Sequence, residues 1–330
     1  MNLDPRALLQ SAFASLARGR ADLAQPSIEA YERANPGDRE RIDYLRKAAA
    51  VIAFRREEQR EALTLSPRAP LPPSSIDLVS FHVHLPRAPS GIHGQVDYMA
   101  VLALSFESAR LRAPAARRIL ITDEATAVPA GLGVDQVMRF PLDSSRPMFE
   151  RMRVQELYLA QREPGRASVL MDSDIVVNAD PAAIFSTDFD VGLTWRPEFP
   201  DAPFNGGMIF IAEGDGGRQF LREGLATYEA LAAEPSVTGA FPADIKSWWG
   251  DQFALASTVG YREFAERQGD AISVNGRRVK FFPCTDYNFT LEAGRNYTRD
   301  ELRRKAFIHF KGNRKAMQAQ YLERMRAGAL

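Results

Sequence analysis

The chain carries a single cysteine, Cys284, in 330 residues. That excludes an internal disulfide and a cysteine-rich zinc site, and it fits a reducing compartment. Net charge is also missing, because 42 Lys and Arg balance 42 Asp and Glu. Bulk electrostatics therefore direct the chain neither to nucleic acid nor to a membrane surface. No apolar run reaches about 18 residues, so nothing reads as a membrane span. The N-terminal stretch lacks a basic segment followed by an apolar one, and no secretory signal is expected. The expected location is the cytoplasm, including a peripheral position at the inner membrane. What is present is ordinary for a soluble globular protein: 45% hydrophobic and 25% charged residues, enough chain to bury a sizeable core.

Residues 1 to 65 read as a helical extension. Asp4 and Pro5 stand at an N-cap and a first turn, Leu8, Leu9, Phe13 and Leu16 recur at helical spacing, and Gly19 follows the last turn. Ser27 is expected to cap a second helix ending at Asn35-Pro36-Gly37, and Asp38 a third with Ile42, Leu45, Ala49 and Ile52 on one stripe. One helical pair is too little for a repeat array. Residues 66 to 73 form a stiff, proline-rich stretch and mark the expected boundary, with one larger domain over residues 74 to 330. No candidate site residue precedes that break, so the helices are expected to be separable from the chemistry and to offer a surface for a protein partner.

Beyond the break the pattern alternates. Strands are expected over residues 76 to 85, 118 to 123 and 168 to 171, and helices over 98 to 111 and 149 to 162. This predicts an α/β fold with a mostly parallel sheet, whose ligands bind beyond the carboxyl ends of the strands. Charges at those ends are the first candidates.

Asp172 and Asp174 follow the apolar run Val169-Leu170-Met171. Two carboxylates this close can converge on one hard cation, Mg²⁺ or Mn²⁺. A solvated turn explains them equally well on local sequence. The same spacing recurs at Asp188 and Asp190, which do not end an apolar strand and read as loop.

The segment His309-Phe310-Lys311-Gly312-Asn313-Arg314-Lys315 is the more informative signal. It follows the apolar run Ala306-Phe307-Ile308, and Gly312 lets backbone approach a ligand closely. From Arg303 to Arg326 there are eight basic side chains and one acidic one, Glu323. In a balanced chain that asymmetry points to an anionic ligand, against the blander reading of a solvated basic helix end.

These residues carry a resemblance. His309, Phe310, Gly312 and Lys315 are spaced as in the C-terminal motif of glycosyltransferase family 8, which includes glycogenin and bacterial lipopolysaccharide galactosyl- and glucosyltransferases. The Asp172–Asp174 pair, the segment Phe204-Asn205-Gly206-Gly207-Met208, the pair Asp251-Gln252 after Gly250, and Tyr287-Asn288 resemble that family's other motifs and come in its order. The resemblance spans about residues 76 to 316 and omits the N-terminal helices. It implies a GT-A fold: a Rossmann-like nucleotide-diphospho-sugar transferase with a mixed sheet flanked by helices. It implies that Asp172, Asp174 and His309 coordinate Mn²⁺ or Mg²⁺, that Gly312 and Lys315 contact a diphosphate, and that Asn205, Gly206, Asp251 and Gln252 surround a donor sugar. The donor would be a nucleotide sugar, UDP-linked by the resemblance and transferred with retention; the acceptor would be a glycan, a lipid-linked sugar or a protein. The segment from His82 to Gly94 departs from the family's short loop. The family's basic residue on the preceding helix has two candidates, Arg151 and Arg153, with Arg153 preferred for its place nearer the helix middle.

The residue types suit such chemistry. Breaking a sugar–phosphate bond leaves negative charge on a diphosphate, which a divalent cation and a nearby lysine stabilise. Sugar hydroxyls need polar partners, which Asp251, Gln252 and Asn205 supply. Asp251 also suits the start of the helix that follows it. Trp248 and Trp249 suit either stacking on an acceptor sugar or a place in the core. Two other readings stay open: a haloacid-dehalogenase-type phosphohydrolase with Asp172 as nucleophile, and a non-catalytic nucleotide-sugar-binding protein.

Overall fold

The computed structural model describes residues 4–54, 60–84, 96–196, 199, 202–240, 250–260, 271–292 and 294–330. Trp248, Trp249 and most of the segment after His84 lie outside the described residues.

Three helices lead: α1 (Pro5–Ala17), α2 (Ala21–Ala34) and α3 (Arg39–Phe54). Asp4 caps α1, its carboxylate accepting from the Arg6 N–H at 3.0 Å. Ser27 does not cap α2, which begins six residues earlier at Ala21 and carries Pro26 inside it. Ala24, Ile28 and Tyr31 repeat at helical spacing and are buried against Leu8, Leu16 and Leu45. The burial of that stripe outweighs the one ladder bond that proline removes.

The three helices are not a free appendage. Val51 on α3 is fully buried with Phe149, Tyr228, Leu231 and Phe253. The stretch after α3 is tied down as well. Leu63 N–H donates to Ala271 O at 3.0 Å, and Ser273 N–H to Glu61 O at 2.9 Å. Within the proline-rich break, Asp188 N–H donates to Ser66 O at 2.9 Å, and Arg68 pairs with Glu213 at 2.7 Å.

The remainder is an α/β assembly around an eight-stranded sheet. Its strands are β1 (Ile76–Phe81), β2 (Arg117–Thr122), β3 (Gln136–Arg139), β4 (Ala167–Met171), β6 (Val191–Trp195), β7 (Phe204–Ile211), β8 (Ala271–Val274) and β9 (Arg277–Pro283). Their order is β3-β2-β1-β4-β7-β6-β9-β8. The β3-β2-β1-β4 half is parallel; β7 then runs antiparallel to both its neighbours. The sheet is therefore mixed and still mostly parallel, as the alternation of strands and helices predicts. The expected first strand stops at Phe81, short of residue 85. Helices α4 (Tyr98–Arg112), α5 (Pro147–Gln161) and α6 (Gly216–Ala233) flank the sheet. A small second sheet pairs β5 (Ile175–Val177) antiparallel with β10 (Phe307–His309), setting His309 opposite Ile175.

One irregularity matters for function. Leu193 pairs with Ile209 and Trp195 with Phe204, so two steps along β6 oppose five along β7. The surplus is a bulge around Asn205-Gly206-Gly207, and two glycines inside a strand are its sequence signature.

Candidate functional site

Every residue of β4 is buried, and the strand delivers Asp172 at its carboxyl end. Asp172 N–H donates to Gly207 O at 2.8 Å, fixing the turn against the β7 bulge. Two residues on, Asp174 O accepts from the Phe310 N–H at 2.9 Å. The β5–β10 pairing thus joins two segments far apart in sequence and brings His309 beside both carboxylates. His309 Nε2 lies 3.1 Å from Asp174 Oδ1 and 3.8 Å from Asp172 Oδ2. Lys315 Nζ lies 2.6 Å from the other oxygen of Asp174. It reaches there because Gly312, at φ +57°, turns the chain after His309 into a short 3₁₀ helix, Gly312–Met317.

Asp172, Asp174 and His309 each offer a ligand atom within 4.8 Å of the others. Two ligands held about 2.1 Å from one Mg²⁺-sized ion sit no more than about 4.2 Å apart, so both histidine–carboxylate separations suit a shared ion. The donor set, two hard oxygens and an imidazole, suits Mg²⁺ or Mn²⁺. Space for it depends on Gly207. A Cβ there would fall on Asp172 Oδ2, 2.8 Å from Asn205 Oδ1 and 2.9 Å from His309 Cε1. On these observations the residues fit a divalent cation.

A second cluster adjoins the first. The Arg151 guanidinium bridges Asp172 and Asp251 and donates to Gly206 O at 2.8 Å. Gly206 is required here too, since a Cβ would strike Asp251 Oδ2 and Arg151 Nη2. Arg153 does not enter the site; it donates to Glu150 at 2.8 Å and to Pro141 O at 2.6 Å. Helix geometry, rather than position along the helix, separates the two arginines. Arg151 lies on the same face of α5 as the buried Gln155 and Tyr158, whereas Arg153 shares its stripe with the partly exposed Leu157. The burial stripe, not closeness to the helix middle, was the signal that separates them.

Asp251 is buried, and its Oδ1 has no hydrogen-bond partner among the described residues. Gln252 Oε1 accepts from Arg196 Nη2 at 2.6 Å. Asn205 Oδ1 accepts from the Gly207 N–H at 3.0 Å and so holds the bulge from within. Lys311, one of the basic residues of the C-terminal segment, lies within electrostatic reach of Asp172 and Asp174; Arg196, which carries no signal in the sequence, joins them through Gln252. Asp188 and Asp190 are remote from it and pair with Arg278.

The electrostatics follow from burial and neighbours. Burial pushes the Asp174 carboxyl up, but Lys315 and, while its ring is protonated, His309 outweigh it and hold it well below the usual carboxylate range. Burial also pushes Asp251 up, and there the opposing charge of Arg151 does not overcome it. The Lys311 ammonium is pushed down by burial and by the charge of Arg196.

No protein-family model matches the chain, and no curated protein matches it in sequence. Among solved structures, the galactosyltransferase LgtC in complex with donor and acceptor sugar analogues is 13% identical; the alignment covers 77% of this chain and 96% of that one, with a TM-score of 0.44. A glycosyltransferase involved in glycosylation of the major capsid of PBCV-1 is 14% identical over 75% of this chain and 98% of that one, with a TM-score of 0.43. Among the described residues, no helix is long and apolar enough to cross a membrane.

Proposed function

We propose that this chain is a metal-dependent glycosyltransferase of the GT-A type, moving a hexose from a nucleotide-diphosphate sugar, UDP-linked, to a glycan, lipid-linked or protein acceptor. The observation that carries the reading is the convergence of Asp172, Asp174 and His309 within 4.8 Å beside Gly207, with Lys315 on the same carboxylate. Asp172, Asp174 and His309 would hold Mn²⁺ or Mg²⁺. When bound, the cation supplies Lewis-acid stabilisation of the charge that grows on the departing diphosphate.

The chain's own residues supply the rest. Lys315 and the backbone around Gly312 give a fixed positive end for the diphosphate without reorganisation. Asp251, buried with one oxygen that has no partner among the described residues, accepts from a donor-sugar hydroxyl. Arg151 keeps that carboxylate and Asp172 in a constant relation. Gln252, with its carbonyl oxygen held by Arg196, keeps its amide N–H groups for the sugar.

The test is a screen of nucleotide sugars with Mn²⁺, reading donor hydrolysis and thermal shift, followed by chelation. A UDP-sugar that stabilises the protein only together with metal supports the reading. Full activity in thoroughly chelated protein removes the metal from it. A phosphoryl group trapped on Asp172 supports the phosphohydrolase instead, and co-stabilisation by metal and UDP without transfer supports a non-catalytic binder.

A further inference from the structure

His309 has two ring nitrogens, and only an unprotonated one can bind a cation. Behind the ring, Nδ1 lies 2.8 Å from Asn288 Oδ1. Behind Asn288, its Nδ2 lies 3.1 Å from Thr194 Oγ1. Behind Thr194, its hydroxyl faces two backbone carbonyls, Asn205 O at 3.1 Å and Met208 O at 3.2 Å. Thr194, Asn288 and His309 are all less than 5% exposed.

The direction of this chain is forced from its far end. A carbonyl oxygen only accepts, so the Thr194 hydroxyl spends its one proton there. Its lone pair then faces Asn288, which must present its NH₂. The amide carbonyl is thereby turned to the imidazole, so Nδ1 is the nitrogen that carries a proton. Nε2 is left with its lone pair toward Asp172 and Asp174. The two carbonyls meet Thr194 because of the bulge: Asn205 and Met208 fall in the surplus of β7, between the last two residues that pair with β6.

We infer that Thr194 and Asn288 are positioning residues that set the tautomer of His309, and that the β7 bulge supplies the polarity they transmit. Neither touches the cation position; they act through the ring. The inference rests on the reading of His309 as a metal ligand, but its hydrogen-bond logic is testable without metal.

The experiment uses the full chain with ¹⁵N-labelled histidine, metal-free, at a pH high enough that the ring is neutral. Long-range ¹H–¹⁵N spectra report which nitrogen is protonated, and His309→Ala assigns the signal. In wild type the proton is expected on Nδ1. Thr194→Val is nearly isosteric but removes the acceptor, which frees the amide to flip; the Nε2–H form should appear. Thr194→Ser should restore Nδ1–H. In parallel, Mn²⁺ alone is titrated by calorimetry. Thr194→Val should weaken it by at least about tenfold, on the scale of lost outer-shell partners, with Thr194→Ser near wild type. A wild-type ring protonated on Nε2 overturns the inference even if no variant folds. So does a folded Thr194→Val with unchanged tautomer and unchanged Mn²⁺ affinity. If His309→Ala binds Mn²⁺ like wild type, the ligand reading fails, and the spectra still decide the tautomer relay on their own.

Discussion

Lys315 Nζ and His309 Nε2 approach opposite oxygens of one carboxylate, Asp174, at 2.6 and 3.1 Å. The two belong to one short segment, and the turn at Gly312 lets both reach it. Lys315→Ala should therefore weaken UDP binding more than uridine binding, because only UDP carries the diphosphate that the ammonium is proposed to meet. Calorimetry with both ligands checks this. Equal losses would place Lys315 in a structural role at Asp174.

Asp172→Asn and Asp174→Asn should each lower transfer by roughly 10²–10⁴-fold, since several kcal/mol of charge stabilisation depends on the cation. Asp188→Asn and Asp190→Asn should leave activity near wild type in folded protein. Their cost should fall on stability instead, because Asp190 holds both the backbone and side chain of Arg278. Transfer rates and melting curves on all four variants separate the pairs; the reverse ranking would sink the metal assignment.

Glycine positions offer a sharper contrast. Gly207→Ala puts a methyl group against Asp172 Oδ2 and His309 Cε1, and should lower Mn²⁺ affinity at least about tenfold, roughly 1.4 kcal/mol. Gly192→Ala meets Phe282 and Phe210 in the core and should lower the melting temperature while sparing metal affinity in folded protein. Paired calorimetry and thermal melts read the two effects separately.

His82, at the carboxyl end of β1, is held at a pKa of about 4 by burial and by the nearby charge of His84. Its folded value lies below the unfolded value of about 6.5. The neutral ring is compatible with the fold, so the contribution is fully present above about pH 6.5 and is lost as pH falls from there toward 4. His82→Gln should flatten that part of the stability–pH curve, measured by urea unfolding. An unchanged slope would show that other groups set it.

A protein beginning at Ser74 loses Val51, whose buried side chain completes a cluster with Phe149, Tyr228 and Phe253. We expect it to melt at lower temperature or fail to fold, and Val51→Ala in the full chain to cost about 2 kcal/mol. A truncated protein as stable as the full chain would restore the picture of separable helices.

Much of the candidate site is legible in the order of residues along the chain. Asp172 and Asp174 end a buried apolar run, and His309, Gly312 and Lys315 share one short segment, because local order along the chain is what a strand-then-turn pattern records. The α/β class followed from hydrophobic periodicity alone, since burial of one face repeats with the element's own period.

Other features required the tertiary structure. Arg151 and Arg153 are chemically identical, and only the face that α5 buries decides which meets Asp172. The mixed sheet depends on β7 running against β4, a choice of chain direction that leaves no mark on local periodicity. The attachment of the N-terminal helices rests on Val51 meeting residues from α5, α6 and the helix Gly250–Val259. The relay runs from Thr194 through Asn288 to His309; Asn288 and His309 belong to segments the sequence marks, but nothing in the sequence ties Thr194 to them. Sequence sets which groups are available and how each element is patterned. Which groups meet, and which nitrogen of His309 faces Asp172 and Asp174, is decided by strand pairing, because hydrogen bonds over a few ångströms depend on register between segments that are distant in the chain.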